Sequence, residues 1–270
     1  MKYSQSTFVY FKYTLEEAIR RLAKYGYQGV EIWGGRPHGY WEDMDDTRIQ
    51  KIKNVLKETN MEISNFIPAQ FRYPTNIATT DEQIRKNSVK YLKHNIDIAE
   101  KLDAPYVSLC PGFSLYGEKL SDSRQAMMTS LKELVEYAQD KTVKLILEPA
   151  HAMETDHVLT VDQGMSIIDE LGKDNLGLCI DLGHMHVNKE SIVNVVDKVK
   201  GYTVHYHMDD NDGNSDEHLV PGEGTIDFDI FLTNLKNSGY NGYLAIELGW
   251  GYTVDPDNAV KKSIEFLQSK

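Results

Sequence analysis

Two cysteines in 270 residues are too few for a disulfide framework. Both, Cys110 and Cys179, lie in apolar runs that read as buried thiols in a reducing compartment. Positive charge is also scarce: 29 Lys and Arg against 41 Asp and Glu leave a formal charge of −12. That balance argues against a nucleic-acid backbone or an anionic membrane as partner. It does not exclude a phosphorylated substrate, because a local Arg or metal overrides the global field. No apolar stretch approaches the ~20 residues needed to span a bilayer, and Met1-Lys2-Tyr3-Ser4-Gln5 carries no apolar signal core. The expectation is a soluble, cytoplasmic protein. Low-complexity tracts, charge blocks and Pro/Gly-rich linkers are missing too, so a single domain over 1–270 is expected. A hydrophobic content of 41% is enough for a sizeable core.

What is present is an alternation. Short β-like runs occur at Ser6–Tyr10, Gly29–Trp33, Glu62–Ile67, Tyr106–Cys110, Lys144–Glu148, Leu176–Asp181, Thr203–Met208 and Tyr243–Leu248. Amphipathic helical patterns fall at Thr14–Lys24, Asp46–Thr59, Asp81–Leu102, Ser121–Asp140, Asp162–Leu171, Ser191–Val199, Phe228–Ser238 and Pro256–Gln268. Most open with Thr, Asp or Ser, which cap the free amides of a first turn. Eight such units predict an α/β fold, a closed (β/α)₈ TIM barrel. A doubly wound open sheet usually has fewer units and a glycine-rich turn after its first strand, where this chain reads Tyr10-Phe11-Lys12-Tyr13.

A parallel strand covered on both faces should be apolar throughout, so each exception needs a reason. Leu145-Ile146-Leu147 ends in Glu148, Leu178-Cys179-Ile180 in Asp181, Val204-His205-Tyr206 in His207, and Leu244-Ala245-Ile246 in Glu247. Four successive strands thus send Glu, Asp, His and Glu to the rim where barrel chemistry sits. Three carboxylates and an imidazole in a water-poor mouth repel one another unless a cation lies among them. Oxygen-rich ligation with one nitrogen suits one divalent metal of the Mn²⁺, Mg²⁺ or Co²⁺ kind better than a structural zinc. His205, one layer deeper on the same strand face, is expected below the metal as a supporting histidine. His184 is placed in the rim loop near substrate, His186 in ordinary loop structure and His94 within a helix. Neither cysteine has neighbours that would make it a thiolate nucleophile.

These segments resemble the xylose-isomerase-like barrel superfamily, and within it the ketose 3-epimerases acting on tagatose or psicose. The matching stretches are Leu147-Glu148-Pro149, Ile180-Asp181-Leu182-Gly183-His184, His205-Tyr206-His207, Val220-Pro221-Gly222-Glu223-Gly224 and Ile246-Glu247. Trp33-Gly34-Gly35-Arg36-Pro37-His38 adds a sharper similarity to the fructoselysine 3-epimerases. The resemblance implies Glu148, Asp181, His207 and Glu247 as ligands of Mn²⁺ first, with Co²⁺, Mg²⁺ or Zn²⁺ admitted. It implies Glu148 and Glu247 as the acid/base pair, and Glu154 and His184 as substrate contacts. It also implies a homo-oligomer, a dimer or tetramer. One departure stands out. The family usually has an arginine before its Val-Pro-Gly-Glu-Gly, whereas this chain has His218 after an insertion through Asn211–Glu217. That favours a modified ketose or a fructosamine over plain tagatose or psicose.

The chemistry implied is removal of a proton α to a carbonyl and its return on the other face, which needs two carboxyl groups on opposite sides. Arg36 and His38 are candidate contacts to the substrate's polar tail, with an Arg36–carboxylate pair that merely holds the loop as the alternative; His218 and Trp33 are further candidate substrate contacts. Trp33, Trp250 and the Tyr40–Trp41 pair are equally suited to stacking on sugar and to subunit contacts. Three rival readings are an aldose–ketose or hydroxypyruvate-type isomerase, an endonuclease IV-like zinc enzyme and a non-catalytic sugar-binding barrel. The endonuclease would want a basic groove and more histidines.

Overall fold

Side-chain caps set most of the helix starts. Thr14, Asp45, Asp81 and Thr160 each accept a hydrogen bond from a first-turn amide, satisfying donors that a helix start leaves free. They open α1 (Leu15–Lys24), α2 (Asp46–Thr59), α3 (Glu82–Lys101) and, after α4 (Leu120–Tyr137), α5 (Val161–Leu171). Gly172 and Gly239, both at positive φ, close α5 and α8 (Phe228–Ser238). The computed structural model describes residues 1–70 and 75–270.

Between the helices run β1 (Lys2–Ser6), β2 (Gly29–Gly34), β3 (Glu62–Pro68), β4 (Tyr106–Leu109), β5 (Lys144–Leu147), β6 (Leu176–Asp181), β7 (Val204–Met208) and β8 (Tyr243–Ile246). They pair in parallel in sequence order, and β1 returns to β8 through Lys2–Tyr243 and Gln5–Ile246 to close the barrel. Leu145, Leu147, Leu178, Ile180, Leu244 and Ile246 are fully buried. The barrel interior holds polar side chains. Glu31 of β2, Asn65 of β3, Ser108 of β4 and His205 and His207 of β7 contact one another. Strands on opposite sides of a closed sheet touch only through its interior, so these side chains point inward.

The closed eight-stranded barrel agrees with the sequence reading; three elements differ. The first strand is Lys2–Ser6 rather than Ser6–Tyr10. Ser6 accepts the Phe8 amide and turns Thr7–Tyr10 into a 3₁₀ helix, whose Phe8 packs on Trp33 and Trp250 instead of joining the sheet. The helix expected over Ser191–Val199 is only α7 (Val195–Lys198), and an unforeseen short helix, α6 (Leu182–Val187), follows β6 directly. Asp181 is its cap, accepting from the His184 amide at 2.9 Å. A helix beginning at the strand end moves His184 out of the rim loop and into a buried helical turn. The last helix, α9 (Pro256–Gln268), starts on a proline. Among the described residues, no helix is long and apolar enough to cross a membrane.

Candidate metal centre

Glu148 and Glu247 follow the last residues of β5 and β8, Asp181 ends β6 and His207 lies near the end of β7. The four side chains converge. His207 Nδ1 is 2.9 Å from Glu148 Oε1, 3.0 Å from Glu247 Oε2 and 3.6 Å from Asp181 Oδ2. Donor atoms of all four lie within 4.8 Å of one another. Glu148 Oε1, Asp181 Oδ2 and His207 Nδ1 are buried and have no hydrogen-bond partner among the described residues. Buried polar atoms are normally satisfied, and three orphans facing one point are what a cation's ligands look like.

The other ring nitrogen of His207 decides the tautomer. Nε2 is 3.1 Å from Glu31 Oε2, and an ionised carboxylate only accepts, so Nε2 carries the hydrogen and Nδ1 turns its lone pair to the centre. The same Glu31 oxygen accepts from His205 Nε2 at 2.9 Å and Asn65 Nδ2 at 2.9 Å. Burial alone would raise the Glu31 carboxyl, but His207 and His205 outweigh it and hold it well below the usual range. Burial likewise opposes charge on His207, yet Cys179, Glu31, Glu148 and Glu247 around it hold the imidazole well above its ordinary value. Burial would also raise Asp181, and His184, His207 and His218 pull it down instead. Such offsets between buried groups mark a site built for a fixed charge. The residues fit a divalent cation, and the three carboxylates with one imidazole favour a hard-to-borderline ion.

Glu154 sits half-buried beside this centre, its carboxyl raised by burial. It lines a small cavity with Gln70, Cys110, Gly112 and Phe113. His184 and His218 also reach the centre's edge. Both meet Asp216, at 3.4 and 2.8 Å, and His151 Nε2 joins the same carboxylate at 3.2 Å. Asp209, beneath His218, is pushed well up by burial and by Asp181. The cysteines are free, and burial raises both thiols far above their ordinary value.

Three of the expected substrate contacts lie elsewhere or are engaged. Arg36 is tied to Asp43 at 2.7 Å and Glu42 at 3.1 Å, the loop-holding alternative. His38 is buried: Nδ1 is 3.1 Å from the Thr7 hydroxyl and Nε2 3.1 Å from the Tyr13 carbonyl. Trp33 packs edge-on against Phe8, which in turn meets the exposed Trp250 ring. These aromatics form a rim wall. His94 lies within α3 and stacks on Trp41. His186 belongs to α6 and bonds Thr225.

Sequence reasoning missed Glu31, His151, Asp209, Asp210 and Asp216 as site residues. Glu31 had a signal, a carboxylate inside the apolar run Val30–Trp33; the loop acids had none. Asp210 organises the Val220–Gly224 turn, accepting amides of Gly222, Gly224 and Ile226 at 2.9, 2.9 and 3.0 Å. Glu223 faces away, toward Tyr252 and Lys262.

Residues 19–270 match the xylose isomerase-like TIM barrel family. The chain belongs to that family. Fructoselysine 3-epimerase of Shigella flexneri is 29% identical over 265 residues, 98% of this chain and 96% of that relative. Inosose isomerase of Halalkalibacterium halodurans is 30% identical over 175 residues, 62% of this chain and 61% of that one. A crystal structure of a D-tagatose 3-epimerase-like protein superposes at a TM-score of 0.83 with 26% identity, covering 100% of this chain and 99% of that chain. Like these relatives in the xylose isomerase-like family, the chain is an enzyme of the epimerase and isomerase class.

Proposed function

We propose that this enzyme is a metal-dependent epimerase that inverts C3 of a ketose or fructosamine, with Glu148 and Glu247 as its acid/base pair. The convergence of Glu148, Asp181, His207 and Glu247, three of them with a buried unpartnered donor atom, carries the reading. A divalent ion bound there, Mn²⁺ before Co²⁺, Mg²⁺ or Zn²⁺, supplies Lewis-acid stabilisation of negative charge developing on substrate oxygens.

The chain's own groups do the rest. Glu148 and Glu247 come from β5 and β8 and approach His207 Nδ1 at 2.9 and 3.0 Å. Each carboxylate offers a second oxygen to the C3 proton, one from each face, so one withdraws it and the other returns one to the opposite face. Glu154, whose carboxyl is raised by burial, is placed to hydrogen-bond a sugar hydroxyl. His184 and His218 cover the neighbouring edge, and the Trp33–Phe8–Trp250 wall provides an apolar flank for sugar C–H faces. Similarity to fructoselysine 3-epimerase makes fructosamines the first substrates to try, with psicose and tagatose beside them.

The test is product analysis in deuterated buffer with Mn²⁺ and this substrate panel. C3 epimers carrying deuterium at C3 are expected; label at C1 with an aldose product would move the assignment to an aldose–ketose isomerase. Glu247→Gln should lower turnover by about 10²–10⁴-fold while the fold persists. Near wild-type epimerisation by that variant would refute the two-carboxylate mechanism.

A further inference from the structure

We infer that the segment Trp33–His38 acts on the substrate only through Trp33, with Thr7, Gly35 and His38 as positioning residues that fix its indole at the mouth. The kinetic consequence rests on the proposed function; the position of the ring does not.

Strand parity puts the ring at the mouth. Trp33 is two residues beyond Glu31 on β2, so both side chains leave the same face of the strand. Glu31 reaches His207 at 3.1 Å inside the barrel, and Trp33 stands one layer above it. The indole is half-buried and meets Phe8 edge-on, with ring centroids 5.1 Å apart.

A side chain holds the Trp33 backbone. β1 and β2 pair from Ser4–Gly29 to Ser6–Glu31, and then Thr7 turns away into the 3₁₀ helix. Beyond the last pair, the Trp33 amide donates to the Thr7 hydroxyl at 3.0 Å. His38 dictates how that hydroxyl is turned. Its Nε2 is 3.1 Å from the Tyr13 carbonyl, which only accepts, so Nε2 carries the hydrogen and Nδ1 the lone pair. The Thr7 hydroxyl, 3.1 Å from Nδ1, therefore donates to His38 and keeps its own lone pairs for Trp33. Burial pushes the imidazole down to about 4, which preserves the neutral form this order of donors requires.

Gly35 sets the ring itself. A Cβ there would collide with Cζ2 of the indole and lie 2.5 Å from Cε2 and Cη2. The benzo edge of Trp33 thus fills the space a side chain would take. Gly35 is not among the glycines at positive φ, so its backbone accepts alanine and the added methyl falls on the ring. Arg36 takes no part in this, being held by Asp43 and Glu42 and lying over the Tyr40 ring at 4.2 Å.

The experiment compares the Mn²⁺-loaded full chain with Gly35→Ala, Trp33→Phe and the double variant. In near-ultraviolet circular dichroism, the wild-type spectrum minus that of Trp33→Phe isolates the Trp33 band. The Gly35→Ala spectrum minus that of the double variant isolates it again. The two difference spectra are expected to diverge while far-ultraviolet spectra and Mn²⁺ affinity stay alike; superposable difference spectra overturn the proposal. Thr7→Val should shift the same band and Thr7→Ser restore it, and a serine variant behaving like the valine one removes the hydroxyl from the account. Should Thr7→Val unfold, the Gly35→Ala comparison decides. For whichever ketose or fructosamine is turned over, Gly35→Ala should raise KM about 3- to 10-fold, the share of one aromatic contact, with kcat retained. In the Trp33→Phe background it should add nothing. An equal further rise there overturns the inference, because the methyl would then act without Trp33. If no ketose or fructosamine is turned over, the proposed function fails, and the dichroism still decides whether these residues set the ring.

Discussion

Glu31 touches no substrate in the proposed arrangement, yet its replacement by glutamine should weaken the metal centre. One oxygen of Glu31 accepts three N–H donors, from His207, His205 and Asn65, at 3.1, 2.9 and 2.9 Å. A glutamine carbonyl has two lone pairs for those three donors, and its amide would confront whichever donor lies opposite. The charge that makes Nδ1 of His207 a strong donor is lost as well. Charge-assisted hydrogen bonds are worth about 1.5–3 kcal/mol and neutral ones about 0.5–1.5. Two bonds to histidine therefore lose about 2–3 kcal/mol, shared between folding and metal binding. A 10- to 100-fold fall in metal affinity is the expected share for a carboxylate behind a metal-binding histidine. Competition between the protein and a chromophoric chelator, at fixed pH, measures it directly. Glu31→Gln with a native melting profile and wild-type affinity would show that this carboxylate does not set the imidazole, and the reading of His207 as a ligand through Nδ1 would fall with it.

Burial pushes the His38 imidazole down to about 4 from 6.5. Its neutral form belongs to the fold and its charged form to the unfolded chain, so its contribution is complete above pH 6.5 and is lost as pH falls toward 4. The shift corresponds to about 3 kcal/mol. Urea melts of wild type and His38→Gln across that window should lose their difference in slope only if this is wrong. Gly224→Ala would drive a methyl into the Asp210 carboxylate and the Asn211 carbonyl. A cost of about 1–3 kcal/mol, or about 3–10 °C in Tm for a chain of this size, is expected, and an unchanged Tm would contradict the packing described. Chelator should lower Tm reversibly: a metal at about 100 times its Kd stabilises the native state by about 2.7 kcal/mol. Identical melts with and without chelator would remove metal from the folded protein's ledger.

Strands β5 to β8 were legible because each broke an apolar run with a polar residue at its end, and a buried strand tolerates such a break only for a reason. That is why the sequence alone brings Glu148, Asp181, His207 and Glu247 together. His205 was expected one layer lower and lies there, on Glu31. The first strand was misread because Lys2–Ser6 is polar in a barrel whose interior is itself partly polar, while the apolar Thr7–Tyr10 looked more strand-like. Arg36 and His38 stood in a distinctive motif, but a motif does not say whether a side chain faces substrate or its own loop; Asp43, Glu42, Thr7 and Tyr13 claimed them. Asp216 and His151 lie in segments without periodicity, where only folding reveals that residues 65 positions apart share a hydrogen bond.

The bridge between Asp210 and Leu219, two backbone hydrogen bonds of 3.0 and 2.7 Å, pinches off the segment 211–218 at its base. Asp210 simultaneously clamps the turn that follows. The barrel thus ends at one staple, and everything the loop carries, Asp216 and His218 included, is grafted beyond it. The insert is nonetheless tied down beyond its base, Asn211 donating to the Gly183 carbonyl and His218 lying against the Glu247 carbonyl, so an exchanged loop has to keep those two ties as well as its anchor points.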